Sequence, residues 1–441
     1  MKIYITNDGC EVGKLYSSYI QQLFLKTNPR IVNTSDPKEA DLILFYACGL
    51  TANKEEQSLR IIEVIKSMMK PSARFLVWGC LSKQNPESLK NKYSGPMLGP
   101  SDMHFFEEIL RQTTNEPKCS NINQIPDANL PIKGEALQPI SSIKQNIMYR
   151  VFGDLDGYLS QLFFKANSST FYIRVAEGCT SHCTYCSERL VWGDVKSKPV
   201  EKVISEFEDG LEKGYTNFFL CAEDFGAYGV DIGLKATDLL KQLVDVGKDK
   251  NYKIIINELS PPYLKNMLPD FEKIFATGRI STLGVQVESG SNRLLKLMGR
   301  QYKAEEWRNL MLRINRNFPS INLSTHFMVG FPTETEEDFN ATMKLLDFPL
   351  LLKDILIFKF SSRPNIPAAR LSGQIPQSVI ELRARRLQRK FWYMYPLNIA
   401  IRYPYSLIKK PARSFNEPNH QLFTYKLNTE TTSVHAKLKG S

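Results

Sequence analysis

Three apolar runs open the chain, and each ends on a cysteine: KIYITNDGC, ADLILFYAC and ARFLVWGC. They are rich in Ile, Leu, Val, Phe, Tyr and Trp, lack helical period, and predict short buried strands ending in Cys10, Cys48 and Cys80, with helix-like stretches between them. Strand, helix, strand in that order predicts a parallel sheet, whose strand ends lie along one edge. A second series of strand-like segments falls at 171–177, 216–222, 252–258, 282–288, 322–329 and 354–360, each followed by a helical stretch. Six such units predict an open (β/α)6 barrel, which works at the C-terminal ends of its strands. The expected fold class is therefore α/β: an N-terminal parallel α/β sheet domain, then a partial (β/α)6 barrel, with a short basic C-terminal extension.

At 441 residues the chain is too long for one ordinary domain, and 42% apolar content supplies two cores. We divide it into a sheet domain over 1–110, a Pro/Asn/Ser/Gln-rich connector over 111–168, the barrel over 169–370, and a basic helix (ELRARRLQRKFWYM) with its tail over 371–441. Charge is uneven. Residues 363–441 hold 14 Lys and Arg against three Glu, a balance of 14 − 3 = +11, which equals the net charge of the whole chain. Interleaved with Phe391, Trp392, Tyr393, Tyr395, Tyr403 and Tyr405, this end reads as a surface for a polyanion; the plainer alternative is a solvated helix face with its aromatics turned inward. No apolar stretch approaches the roughly 20 residues that span a bilayer, and the polar start is no secretory signal, so a cytoplasmic protein without membrane contact is expected.

The chemistry concentrates in GCTSHCTYCSERL. Cys179, Cys183 and Cys186 have the spacing to hold three irons of a four-iron cluster and leave the fourth open to a small molecule. A zinc knuckle would need a second CxxC pair or an HxxxH, and neither is present. Tyr185 suits an aromatic beside a bound adenine. The thiols of Cys10, Cys48 and Cys80 would converge at the sheet edge and suggest a second cluster, although each alone could pack as a small apolar group. Cys119 and Cys221 fall in no motif and read as structural.

The run GCTSHCTYC resembles the cluster motif of the radical S-adenosylmethionine (SAM) enzymes. Two cysteine triads in this order, the first ending in WGCLSKQNPESL and the second followed in family order by CAEDFGAYGVD, VQVESGSNRLLKLMGRQY, HFMVGFPTETEEDF and FKFSSRPNIPAARL, look like the methylthiotransferases from about residue 2 to 390. The resemblance implies two [4Fe–4S] clusters, on Cys10, Cys48, Cys80 and on Cys179, Cys183, Cys186, with SAM as both methyl donor and source of a 5′-deoxyadenosyl radical. It places Glu223 and Asp224 at the SAM amino group, Glu288, Ser289 and Ser291 at its ribose, and Gly330 and Pro332 where backbone approaches the adenine. Some of these also read as helix starts: SGSNRLL, and VGFPTETEEDF with Thr333 capping and Glu336 three residues on.

Two departures stand out. His326 occupies a position where a small or acidic residue is expected, and Tyr46-Ala47 precedes Cys48 where tRNA-modifying members carry Asn-Thr. The phrase AEDFGAYGVD leans the expected acceptor towards a protein or peptide side chain, with tRNA adenosine as the alternative; a low-potential donor such as flavodoxin or ferredoxin is implied. The complete C-terminal β-barrel of many members is not found. A different radical SAM outcome, such as peptide crosslinking, and a non-catalytic zinc protein that binds nucleic acid are the readings from other classes.

Overall fold

A computed structural model describes residues 1–8, 11–102, 104–113 and 170–402. Cys10, Cys119, most of the connector and the tail beyond 402 lie outside the described residues.

In the N-terminal unit the strands β1 (Lys2–Asn7), β2 (Val32–Asn33), β3 (Leu42–Tyr46), β4 (Arg74–Trp78) and β5 (Met97–Leu98) form one sheet in the order β2-β1-β3-β4-β5, parallel throughout. The helices are α1 (Glu11–Thr27), α2 (Ala52–Met68), the short α3 (Leu81–Gln84) and α4 (Pro86–Lys90), and α5 (His104–Thr113). Every residue of β3 is buried, because both faces of the sheet are covered. Ile3, Leu44 and Trp78 pack with Tyr16, Ile20 and Phe24 of α1 and Phe106 of α5, whereas Tyr4, Phe45 and Val77 pack with Ile62 and Ile65 of α2. Continuous apolar runs are the sequence signature of that double covering.

The second unit is a six-stranded parallel sheet that combines β6 (Thr170–Arg174), β9 (Asn217–Cys221), β10 (Lys253–Leu259), β11 (Ile280–Val285), β12 (Asn322–Val329) and β13 (Asp354–Lys359), in the order β13-β12-β11-β10-β9-β6. Its end strands do not pair with each other, so the barrel is open. The expected strands are present with shifted ends. The first stops at Arg174, and β7 (Ala176–Glu177) turns away to pair antiparallel with β8 (Lys196–Ser197). The fourth leaves the ladder at Val285, and the chain reaches Glu288 in a left-handed conformation, φ +64°, held by a single bridge to Phe327.

Around the barrel run α6 (Glu188–Trp192), α7 (Val200–Glu212), α8 (Ala236–Val246), α9 (Pro261–Asn266), α10 (Leu268–Ala276), α11 (Asn292–Leu297), α12 (Ala304–Asn317), α13 (Glu336–Lys344) and α14 (Gln377–Arg402). The cap of α13 differs from expectation. Thr335 accepts from the Asp338 amide at 3.2 Å and Asp338 returns the bond to Thr335 at 2.9 Å, while Thr333 sits outside the helix at φ +69°. The helix α14 lies against the edge strand β13 and is clasped by charge: Lys359 to Glu381 at 3.2 Å, Arg383 to Glu334 at 2.7 Å, Lys390 to Asp347 at 2.5 Å, and Arg386 to Glu336. Three of the five cations in ELRARRLQRKFWYM therefore pair with the barrel itself. No helix among the described residues is long and apolar enough to cross a membrane.

Among the described residues, hydrogen bonds and ion pairs join the two units. Gln84 donates to Ser187 at 2.9 Å, the Ala52 amide donates to Ser361 at 3.1 Å, Arg363 pairs with Glu55, and Tyr16 donates to Glu177.

A thiol-lined chamber between the two sheets

The loop carrying Cys179, Cys183 and Cys186 follows β7 and is pinned by backbone. Thr184 donates its amide to Met298 at 3.0 Å and its hydroxyl to Leu297 at 2.9 Å, and its carbonyl accepts from Ala368 at 2.9 Å. Arg189 donates to the Cys179 carbonyl at 2.9 Å. Burial pushes all three thiols above their ordinary range, and Cys183 adds to the shift of both Cys179 and Cys186. Thiols so placed stay protonated unless a cation sits among them, which is the condition an iron–sulfur cluster meets. Among the described residues no three Cys, His, Asp or Glu side chains converge on one metal-ion position.

Across the domain interface, Cys48 and Cys80 follow β3 and β4 directly. Asp8 and Ser58 hold the first: the Cys48 amide donates to Asp8 at 2.9 Å, and Ser58 donates to the Cys48 carbonyl at 3.0 Å. Gly79, at φ +108° and where a Cβ would overlap the Ala47 backbone, makes the turn that carries Cys80. The Cys80 thiol lies 3.3 Å from the Tyr46 hydroxyl. Burial, then Glu188, then Cys48 raise its pKa. The structure thus brings two of the three strand-end thiols together. The third, Cys10, lies outside the described residues.

Glu188 joins the two sets. It stands on α6 beside Cys186, accepts from Trp192 at 2.9 Å and approaches Gln84 of α3 at 3.5 Å. Burial and then Glu223 raise its carboxyl to about 7. Its charge acts on both Cys186 and Cys80.

The barrel end of the chamber is lined by charge that sequence reasoning found only in part. Glu223 pairs with the buried Arg174, leaving its Oε2 buried with no hydrogen-bond partner. Glu288 accepts from Arg300 at 2.7 Å, and its Oε2 is likewise buried and unpartnered. Two orphaned carboxylate oxygens in one chamber fit the ammonium and ribose hydroxyls of SAM, the groups that those residues were expected to meet. Asp224 also stands in the chamber, but its Oδ1 accepts from the amides of Gly226 at 3.0 Å and Ser260 at 3.1 Å, an anchor for two loops.

Ser289 and Ser291 are committed elsewhere. Ser289 shares a bond with Thr342 at 3.2 Å, and Ser291 donates to Asp338 at 2.5 Å while capping α11 through the Leu294 amide at 3.3 Å. Of the three residues expected at the ribose, only Glu288 keeps an unengaged oxygen. Tyr185 accepts from Arg300 at 2.6 Å, so Tyr185, Arg300 and Glu288 form one train from the cysteine loop to the end of β11. Gly330, at φ +79°, donates to Glu334 at 2.7 Å and lies under Ile380 of α14, where a Cβ would overlap that side chain; Pro332 is buried beside it.

His326 faces Glu258, Nε2 to Oε1 3.5 Å, with its ring edge-on to Phe358. Burial, then Arg300, lowers its pKa to about 3, so it is neutral at physiological pH. Burial, then Glu288 and Asp224, holds Glu258 well above the carboxylate range. A cavity of about 350 Å³ opens beside the cysteine loop, walled by Ser181, His182, Tyr263, Asn266, Arg300 and Tyr302. The residues that sequence reasoning missed, Arg174, Glu188, Glu258 and Arg300, carry no spacing signal. Arg300 stood inside a quoted phrase, LKLMGRQY, without a role.

Comparison with known proteins agrees with this arrangement. Residues 173–346 match the radical SAM superfamily, and residues 2–98 match the uncharacterized protein family UPF0004. A probable threonylcarbamoyladenosine tRNA methylthiotransferase of Pyrococcus horikoshii is 26% identical over 390 residues, 88% of this chain and 83% of that protein. The ribosomal protein uS12 methylthiotransferase RimO of Carboxydothermus hydrogenoformans is 28% identical over 404 residues, 88% of this chain and 81% of that protein. In fold, the chain is similar to the radical S-adenosylmethionine methyltransferase TsrM of Kitasatospora setae, with a TM-score of 0.55 at 14% identity over 83% of this chain and 74% of that one. A parallel sheet with cysteines at its strand ends, joined to an open barrel with a three-cysteine loop, is thus matched domain by domain, and the chain belongs to the radical SAM methylthiotransferase family, enzymes that use SAM and two [4Fe–4S] clusters.

Proposed function

We propose that this enzyme transfers a methylthio group to a carbon of an RNA nucleoside, with Cys179, Cys183 and Cys186 holding one cluster and Cys10, Cys48 and Cys80 the other. The observation that carries the two-cluster reading is the bond from Gln84, on the helix that starts beside Cys80, to Ser187 beside Cys186 at 2.9 Å: the strand-end thiols and the three-cysteine loop then face each other across one interface. When bound, the clusters and SAM supply reductive cleavage and the methylthio sulfur. The chain's own residues bind and shield. Glu223 takes the SAM ammonium on its open oxygen while Arg174 fixes its other one, Glu288 takes the ribose, and Arg300 orients Glu288 and Tyr185 together. Gln84, Trp192 and Tyr16 close the interface against water, which strengthens each of these contacts. A low-potential donor such as a flavodoxin or ferredoxin completes the reaction.

Acceptor class is the finer question. The phrase AEDFGAYGVD favours a protein or peptide side chain, and the RimO relative keeps that reading alive. A relative named for tRNA matches as much of the chain at 26% against 28% identity, so phrasing does not separate them. The basic, aromatic C-terminal end supports RNA.

Mass spectrometry of tRNA digests and of ribosomal peptides from cells with and without the enzyme tests this directly. A methylthio mass gain on an adenosine is expected; a gain confined to peptides overturns the acceptor, and a gain in neither overturns the activity. Two full clusters require about eight irons per reconstituted chain. Cys80→Ala should abolish methylthio transfer and leave 5′-deoxyadenosine formation, and loss of both together would contradict the division of labour.

A further inference from the structure

We propose that the outer face of α14 is a docking surface for single-stranded RNA, an inference that rests on the RNA reading above. The inner face of this helix is accounted for: Ile380, Ala384, Leu387 and Phe391 are buried against the barrel, and Glu381, Arg383, Arg386 and Lys390 are all paired with barrel residues. The opposite face carries Leu382, Arg385, Arg389, Trp392 and Tyr393, all exposed. Tyr393 is 83% accessible, Leu382 46% and Trp392 42%. At about 100° per residue these five fall within an arc of about 100°, and they run about 16 Å along the axis.

Neither plain explanation fits this stripe. A solvated face would be polar, yet it holds two large aromatic rings and a leucine. A face serving only to pack would not carry guanidinium groups without partners, yet Arg385 and Arg389 make no ion pair among the described residues. The one carboxylate on the helix, Glu381, is held by Lys359, and none of the five stripe residues is acidic.

Planar guanidinium groups one helical turn apart bind successive phosphates, and exposed rings on the next turn stack bases. That combination is how unpaired RNA is gripped without sequence readout. An acidic peptide would satisfy the arginines and leave the rings bare. Position supports the same occupant, for α14 begins where Ile380 covers Gly330 at the chamber end of β12. A strand laid along the helix is therefore led to the chamber mouth.

The test uses the full-length reconstituted holoenzyme and two double variants, Trp392→Ala with Tyr393→Ala, and Arg385→Gln with Arg389→Gln, each checked for an unchanged melting temperature. Fluorescence anisotropy is read with a labelled unstructured RNA oligonucleotide and with unmodified tRNA across a salt series. Loss of the rings should weaken binding about tenfold or more at constant salt dependence. Loss of the two arginines should reduce the slope of log K against log salt by about 1.4. Acceptor-independent 5′-deoxyadenosine formation should not change.

Folded variants that bind RNA as the wild type does would overturn the surface while leaving the acceptor reading intact. Weakened RNA binding in the variants, together with methylthio transfer to peptides alone, would uphold the surface and remove the acceptor reading. Binding that emerges only after residues 403–441 are deleted would assign the face to the tail and also overturn the proposal.

Discussion

Single residues decide the electrostatics of the chamber. Arg174 and Arg300 each neutralise one oxygen of a buried carboxylate and leave the other open, so the site keeps acceptor capacity that a bound ammonium or hydroxyl can use. His326 is the opposite case, an imidazole that burial keeps neutral. Its pKa is lowered from 6.5 to about 3, so between those values the unfolded chain binds a proton that the folded chain refuses. Stability therefore rises with pH across that window and is lost as pH falls through it, by on the order of 5 kcal/mol at the acid end. Denaturant titrations of wild type and His326→Asn from pH 7 to pH 4 should show a flatter profile in the variant. Parallel profiles would mean that the imidazole is already solvated.

Elements impose constraints that no single residue announces. Gly330 ends β12 in a left-handed conformation beneath Ile380, so the strand end and α14 approach each other through a missing side chain. Gly330→Ala combines strained φ with overpacking and should cost about 1–3 kcal/mol in chemical denaturation. Adding Ile380→Ala should return the packing part of that loss and not the conformational part; no recovery at all would show that contact with α14 is not what demands glycine. The cap of α13 shows why local patterns misplace elements. Both Thr333 and Thr335 have an acidic residue three positions on, and only the left-handed backbone at Thr333 hands the cap to Thr335 and Asp338.

On the scale of the whole molecule, the proposed reaction requires the two units to hold their thiol sets at fixed separation, so that one acceptor carbon is reached from both sides. Gln84 spans that gap, bonding to Ser187 one residue past Cys186 while its own helix starts beside Cys80. Gln84→Leu should preserve iron content and 5′-deoxyadenosine formation while methylthio transfer falls, by tenfold or more if the loss of position follows the usual cost of misplaced reactants, about a hundredfold per ångström. Deoxyadenosine and product falling in step would instead mark Gln84 as part of the SAM site.

Much of this was legible beforehand, for reasons visible in particular residues. Val77 and Phe45 had to be apolar because both sheet faces are covered, and Cys48 and Cys80 had to follow the strand ends because ligands gather there. Charge pairing was not legible. Arg363 and Glu55 are 308 positions apart, Arg174 and Glu223 are 49 apart, and no local pattern marks either. The pairing within the basic helix was not legible either, since Arg383, Arg386 and Lys390 spend their charge on the barrel.

Sequence alone determined the two sheets, the thiol positions and the family, because periodicity and spacing act along the chain. Tertiary structure alone decided which carboxylate oxygens stay open, which serines become caps, and which face of α14 meets solvent, because burial and pairing depend on neighbours brought together only by folding.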